Sequence, residues 1–147
     1  MPAAPSALPG ILGFTGLDAN VLLRVMVRDD SEQYRMASEL LKSLTPERPG
    51  FITQAVLVEV YWNMRRGYRV PVSDCLDAIQ LLTRLPSIEF DDGEGVVRAL
   101  ALAREGADFP DALTHTSFEQ FQCDGAVTFD RKAARRLGWR LLDAEAG

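Results

Sequence analysis

Hydrophobic residues along this chain alternate between short β-prone runs and longer segments with helical spacing. In PVSDCLDAIQLLTRL, for example, Val72, Leu76, Ile79 and Leu82 fall on one stripe of a predicted helix. The predicted strands are residues 14–18, 51–53, 87–90, 126–130 and 139–143. The predicted helices are residues 19–27, 31–44, 54–66, 71–85, 93–106, 110–121 and 131–138. Strands that alternate with helices predict an α/β fold with a largely parallel sheet.

The element boundaries predict a single domain. Ser31 and Thr53 are expected to cap the N-termini of their helices, and Gly138 is expected to end the last helix. No repeat is present, and a length of 147 residues suffices to bury a core without disulfides. We therefore expect a loose N-terminal tail over residues 1–13 and one domain over residues 14–147.

Composition and charge exclude several classes of protein. With 47% hydrophobic and 25% charged residues, the chain is typical of globular proteins. A net charge of -5 argues against non-specific nucleic-acid binding through overall charge, but permits a local basic patch. The two cysteines, Cys75 and Cys123, and the single histidine, His115, form no zinc-ligand pattern. We expect both cysteines to be reduced and buried.

The location is expected to be the cytoplasm. The apolar N-terminus carries no Lys or Arg before a proline-interrupted run, which is not the pattern of a signal peptide. No stretch approaches the roughly 20 apolar residues that a membrane helix needs, so no membrane association is expected.

Candidate chemistry begins with two aspartates that end predicted strands, Asp18 and Asp130. Ligands of open α/β sheets bind beyond the carboxyl ends of strands, so both carboxylates point at one edge. Either aspartate alone is more simply explained as a helix N-cap. In GADFPDAL, likewise, Asp108 fits an N-cap and Asp111 fits the positive end of the helix dipole.

Glu59 is a charged residue within the apolar run AVLVEVYW. We expect its side chain to lie near the interior, either in an ion pair with an arginine or at the same sheet edge as the aspartates. If four or five carboxylates converge, each pair about 5 Å apart repels by roughly 3 kcal/mol at an effective dielectric of ~20. A hard divalent cation such as Mg²⁺ or Mn²⁺ would relieve this repulsion, and such a site suits phosphoryl chemistry.

These motifs together resemble those of a known family. GLDANVLLR, the helix VLVEVYWNMRR, DFPDAL and VTFDR resemble, in order, the PIN domain, and more narrowly the VapC-type toxins of type II toxin–antitoxin pairs. The resemblance covers residues 14–142. It implies a three-layer sandwich with a parallel sheet of about five strands flanked by helices.

The same resemblance implies a metal-dependent endoribonuclease that uses Mg²⁺ or Mn²⁺. It also implies an RNA substrate, a VapB-type antitoxin and a homodimer. The catalytic and metal-binding acids would be Asp18, Glu59, Asp111 and Asp130, while Asp108 is either beside the metal or a helix cap. The segment THTSFEQF departs from the small, apolar helix usual in this family, and Pro110 is also less usual.

Several other residues have both a structural and a functional interpretation. Asn20 would orient Asp18 or begin a helix, and Thr128 would bond a carboxylate or simply suit a strand. His115 is expected to be packed or partly exposed rather than to contact substrate. Tyr61, Trp62 and Tyr68 would stack on bases, although packing in the core or a dimer surface is favoured for the first two.

Basic residues beside the acids would attract RNA. The candidates are Arg65, Arg66, Arg131 and Arg135, together with the neighbouring Arg69, Lys132 and Arg136. Solvated helix faces are the usual explanation for such runs.

Two other classes with acidic Mg²⁺ sites do not fit, and one alternative stays open. A phosphoacceptor receiver domain needs paired acids after its first strand and a late lysine at a strand end. A haloacid-dehalogenase-type phosphatase needs Asp-x-Asp, where this chain has Asp18, Ala19 and Asn20. A PIN-like domain whose acidic site mainly binds a protein partner remains the alternative to a nuclease.

Overall fold

The computed structural model describes residues 13–144, so nearly all of the predicted tail, residues 1–12, lies outside the described residues. Seven α-helices follow the predicted segments closely. They are α1 (Ala19–Val27), α2 (Ser31–Ser43), α3 (Gln54–Trp62), α4 (Val72–Thr83), α5 (Gly93–Arg104), α6 (Phe109–Gln120) and α7 (Arg131–Leu137). Within the described residues, no helix has both the length and the apolar character needed to cross a bilayer.

Five strands alternate with the helices, and all of their pairings are parallel. They are β1 (Thr15–Gly16), β2 (Gly50–Ile52), β3 (Ile88–Phe90), β4 (Val127–Thr128) and β5 (Arg140–Leu141). The α/β class is confirmed. The expected sheet of about five strands is wrong in one respect, because the ladder β1-β2-β3 and the pair β4-β5 are separate within residues 13–144. β1 and β4 are only two residues long, so each offers few backbone groups for a ladder that would join them. β1 is weakened further because one of its two residues is Gly16.

Helix boundaries are set by side-chain caps. Thr53 accepts a hydrogen bond from the Val56 N–H at 3.2 Å, as predicted for α3. The predicted cap of α2 was Ser31, but the cap is Asp30, which accepts from the Gln33 N–H at 2.9 Å. Gly138 ends α7 in the left-handed conformation at φ 73°, as expected.

The core is built mainly from α1, α3, α4, α5 and α6. Fully buried side chains include Leu57, Val60, Val96 and Phe109. Cys75 is buried as expected, whereas Cys123 is exposed in the turn before β4, where the chain has no helix or strand to cover it.

The predicted helix over residues 54–66 is not α-helical throughout. After Trp62 the backbone forms a π-helical turn over Asn63–Gly67. Turns of this kind are rare and occur frequently at functional sites.

Candidate active site at an acid-lined cavity

The starts of three helices are capped by the aspartates that the sequence singled out. Asp18 Oδ1 accepts from the Ala19 N–H at 2.8 Å at the start of α1. Asp108 Oδ2 accepts from the Asp111 N–H at 3.2 Å at the start of α6. Asp130 Oδ1 accepts from the N–H groups of Lys132 and Ala133 at 2.8 and 3.0 Å at the start of α7. The capping interpretation is therefore confirmed for all three, and each carboxylate keeps a second oxygen outside these bonds.

Three of the predicted acids meet in one cavity of about 340 Å³. Asp108, Asp111 and Asp130 line it. The other lining residues are Trp62, Lys132, Ala133, Arg136 and Leu137. The cavity thus places carboxylates opposite two cations, with one aromatic side chain in its wall.

The electrostatics of the cavity act most strongly on Asp111. Burial raises the pKa of the Asp111 carboxyl above its ordinary value. The negative charges of Asp108 and Asp130 raise this pKa further, whereas the ammonium group of Lys132 lowers it. The charge of Asp111 is therefore poorly compensated, and a raised pKa in a cleft is typical of functional sites.

Asp18 and Glu59 do not line this cavity. Both side chains are exposed, so the expectation that Glu59 lies near the interior is wrong. Within α3, Glu59 points to solvent because Leu57, Val60 and Tyr61 occupy the buried face. Among residues 13–144, no three Asp, Glu, His or Cys side chains stand in an arrangement that could hold a metal ion.

The supporting residues occupy the positions that their structural interpretations describe, Asn20 in the first turn of α1 and Thr128 in β4. Thr128 Oγ1 accepts from the Asp130 backbone N–H at 3.0 Å, so Thr128 positions the loop of Asp130 rather than bonding a carboxylate side chain. Asn20 is exposed and lies in a different groove, between α1 and α2.

His115 is packed away from the acids, as expected. Its Nδ1 accepts a hydrogen bond from Trp139 Nε1 at 2.9 Å, and its Nε2 lies 3.5 Å from Glu119 Oε2. Since Nδ1 is the acceptor, a neutral His115 carries its proton on Nε2.

The basic residues divide into those that face the cavity and those that are engaged elsewhere. Arg131 pairs with Asp143 at 2.7 Å, and Arg65 donates to the Val70 carbonyl at 2.9 Å. Arg135 is exposed on α7. The cations that line the cavity are instead Lys132 and Arg136.

Parallel strands, helices on their faces and an acid-lined cavity beyond a strand end define an α/β protein with an acidic site. The sequence profile of the PIN domain family matches residues 17–138, and the chain belongs to this family. The PIN domain is a nuclease-type domain, and its substrates are nucleic acids. A comparison with curated proteins found no match to this chain.

Proposed function

We propose that this protein is a metal-dependent endoribonuclease that hydrolyses RNA phosphodiesters with Mg²⁺ or Mn²⁺. The observation that carries the proposal is the cavity itself, in which Asp108, Asp111 and Asp130 face Lys132 and Arg136. Carboxylates provide hard oxygen ligands and a proton acceptor, and the two cations provide contacts for a phosphate. Family membership supports nuclease chemistry in general.

The donor set fits a magnesium ion. All of the candidate ligands are carboxylates, which select hard divalent cations. Mg²⁺ usually keeps several waters and binds through one or two carboxylates, so a preformed set of three protein ligands is not required. Asp111 and Asp130, with Asp108 at the edge, would hold the ion within the cavity. The family resemblance also assigns Asp18 and Glu59 to the ligand set, although neither lines the cavity. When bound, the ion supplies Lewis-acid activation of water and offsets charge on the phosphate.

The chain's own residues then have separate roles. Asp111 and Asp130 are both candidates for the proton acceptor, because both side chains line the cavity. Lys132 and Arg136 bind the phosphate and hold it near the carboxylates.

The narrower resemblance supports a more specific role as a VapC-type toxin that acts in the cytoplasm as a homodimer. A VapB-type antitoxin would restrain it. A groove of about 450 Å³ between α1 and α2 is lined by apolar side chains, among them Val21, Met36 and Leu40. Met36 is 57% exposed, which is unusual for so apolar a side chain and suits contact with a partner protein.

An RNA cleavage assay tests the nuclease proposal. Purified protein free of antitoxin is incubated with total cellular RNA in Mn²⁺, in Mg²⁺ and in EDTA. We expect discrete fragments that require metal and that disappear with Asp18→Asn and Asp130→Asn. Asp92→Asn is the matched control, because Asp92 caps α5 by accepting from the Gly95 N–H at 3.0 Å but does not line the acid cavity.

The outcome also separates the nuclease from the alternative. Cleavage by Asp18→Asn at the wild-type rate would contradict the proposed acid set. A folded protein that binds metal but leaves RNA intact would favour a domain whose acidic site binds a protein partner. In that case the groove between α1 and α2 would be the first surface to test for partner binding.

A further inference from the structure

The wall of the acid cavity contains one aromatic side chain, that of Trp62. Trp62 is the last residue of α3 and is half-buried, so part of its indole stays accessible. The cations of the cavity can hold a phosphate, but the carboxylates and the ammonium group of Lys132 have no flat surface on which a base could stack. Trp62 supplies the surface that this would require.

Trp62 and its neighbour Tyr61 have different structural environments. Tyr61 is only 4% exposed, and its ring packs against Phe109 with centroids 5.4 Å apart. The Trp62 ring meets Tyr61 edge-on at 5.8 Å. Tyr61 therefore belongs to the core, as expected from the sequence. Trp62 contacts the core through Tyr61 and lines the cavity.

The π-helical turn places a cation over the Trp62 ring. Arg66 lies in this turn, and its guanidinium carbon is 4.1 Å from the centroid of the indole. Such a contact is favourable and fixes the orientation of the ring. An indole that is supported by a guanidinium and lines a phosphate-binding cavity resembles the platforms on which unpaired bases stack.

We infer that Trp62, supported by Arg66, is a stacking platform for an unpaired base next to the scissile phosphate. The inference rests on the proposed nuclease function and names the residue that would bind a base of the substrate. A base within a duplex is stacked on its neighbours and cannot use this surface. Stacking tolerates every base, so Trp62 contributes affinity for single strands rather than sequence preference.

Fluorescence tests the stacking directly. The protein contains two tryptophans, and Trp139 packs against His115 and Phe118 outside the acid cavity. In an Asp130→Asn, Trp139→Phe variant with Mg²⁺, Trp62 is the only tryptophan, and the RNA is expected to stay intact. We expect a single-stranded adenylate hexamer to quench this emission, whereas a hexamer of abasic ribose phosphates with equal charge does not.

Kinetics provides the second readout. In wild-type background, Trp62→Leu is expected to raise KM for a short single-stranded RNA by about tenfold or more while changing kcat much less. Trp62→Phe should restore most of the affinity, because it keeps an aromatic face. Phe121→Leu is the matched control, since Phe121 is an exposed aromatic residue in the turn after α6, outside the cavity, and its loss should leave KM unchanged.

Each outcome supports or overturns the inference. Equal quenching by both hexamers, or an unchanged KM in Trp62→Leu, would overturn the inference that Trp62 stacks on a base. If the wild-type protein still cleaves RNA, the proposed nuclease function is unaffected by that result. A Trp62→Leu protein that elutes as a smaller species in gel filtration would assign Trp62 to a subunit interface instead. Wild-type protein that cuts no RNA with any metal would overturn the proposed function and the platform with it.

Discussion

The carboxylate of Asp111 in the acid cavity carries a poorly compensated charge. Burial and two neighbouring aspartates raise its pKa, so its ionisation costs folding free energy. For a carboxyl whose pKa is higher in the folded than in the unfolded protein, stability is greatest at low pH. It falls as pH rises from the unfolded pKa through the folded one.

Replacement of Asp111 by asparagine is therefore expected to stabilise the metal-free protein at neutral pH and to abolish activity. The increase in the free energy of unfolding should become smaller as pH falls into the acidic range where wild-type Asp111 is protonated. Thermal unfolding in EDTA across pH measures this difference. Asp124→Asn, at an exposed turn, is the control, and an equal gain there would show that general charge relief is responsible.

Asp130 combines a cap with a proposed ligand in one side chain. Asp130→Ala should lose both functions and lower the free energy of unfolding by about 1 kcal/mol, because two N–H groups lose their acceptor. Asp130→Asn should lose activity while keeping stability near the wild-type value, since asparagine caps as well as aspartate. Chemical denaturation of both variants, beside the cleavage assay, separates the two roles. Equal destabilisation by both substitutions would contradict the capping account.

Gly106 joins α5 to the loop before Asp108 and has φ 116°, a conformation that side chains other than glycine rarely adopt. An added Cβ would also lie 2.9 Å from the guanidinium carbon of Arg136. Gly106→Ala is expected to cost about 1–3 kcal/mol and to disturb a cavity cation. Gly93→Ala is the control, because an added Cβ there meets no neighbour within 4 Å. Similar melting temperatures for the two variants would contradict this expectation.

At the scale of elements, α7 shows how far the sequence can be used for prediction. Its RKAARRL pattern predicts the helix and its basic character. The inward face follows from the buried pair Ala133 and Leu137. At 100° per residue, Lys132 and Arg136 share one side of the helix, and Arg131 and Arg135 share another. The sequence therefore predicts these two pairs, but which pair lines the cavity follows only from how α7 packs.

The different placement of these two pairs of cations on α7 gives a prediction about RNA binding. Lys132→Gln combined with Arg136→Gln should weaken RNA binding and reduce the slope of log affinity against log salt by about 1.4, because each lost contact with a single strand contributes about 0.7. Arg131→Gln combined with Arg135→Gln removes the same charge from the same helix and is the matched control. Titrations of a single-stranded RNA at several salt concentrations measure both slopes. Equal losses in the two double variants would show that the net charge of α7, not its face, attracts RNA.

Other features of the elements could not be predicted from the sequence. The apolar run around Glu59 does not show which side of α3 is buried, because hydrophobic residues lie on all sides of the helix. The exposed position of Glu59 follows only from the packing of α3. The π-helical turn after Trp62 likewise depends on local hydrogen bonding, including the Tyr68 N–H to the Asn63 carbonyl at 3.1 Å. Without that turn, the contact between Arg66 and Trp62 could not be foreseen.

At the scale of the whole molecule, the sheet is divided where the acids lie. Asp18 follows the ladder that contains β1, whereas Asp130 follows the separate pair of β4 and β5. Strand number and direction were predictable from the alternation of elements. The missing ladder between β1 and β4 was not, because two-residue strands are decided by tertiary contacts rather than by propensity.

Metal binding should therefore stabilise the whole fold. An ion that binds only the native state at 100 times its Kd adds about 2.7 kcal/mol to the free energy of unfolding. We expect Mg²⁺ or Mn²⁺ to raise the melting temperature at neutral pH, and EDTA to reverse the increase. Asp111→Asn should remove most of this response, and Asp92→Asn should retain it. A melting temperature that neither Mg²⁺ nor Mn²⁺ changes would contradict a metal site in this cavity.

The use of the same carboxylates as helix caps and proposed ligands has an evolutionary consequence. One base change in a codon converts aspartate to asparagine, which keeps the cap and removes the charge. Catalytic activity at this site can therefore be lost while the chain still folds. The inactive variant would still present the groove between α1 and α2 to a partner. Descendants of such a protein would persist as binding domains, distinguished from their active relatives by amides at the starts of α1 and α7.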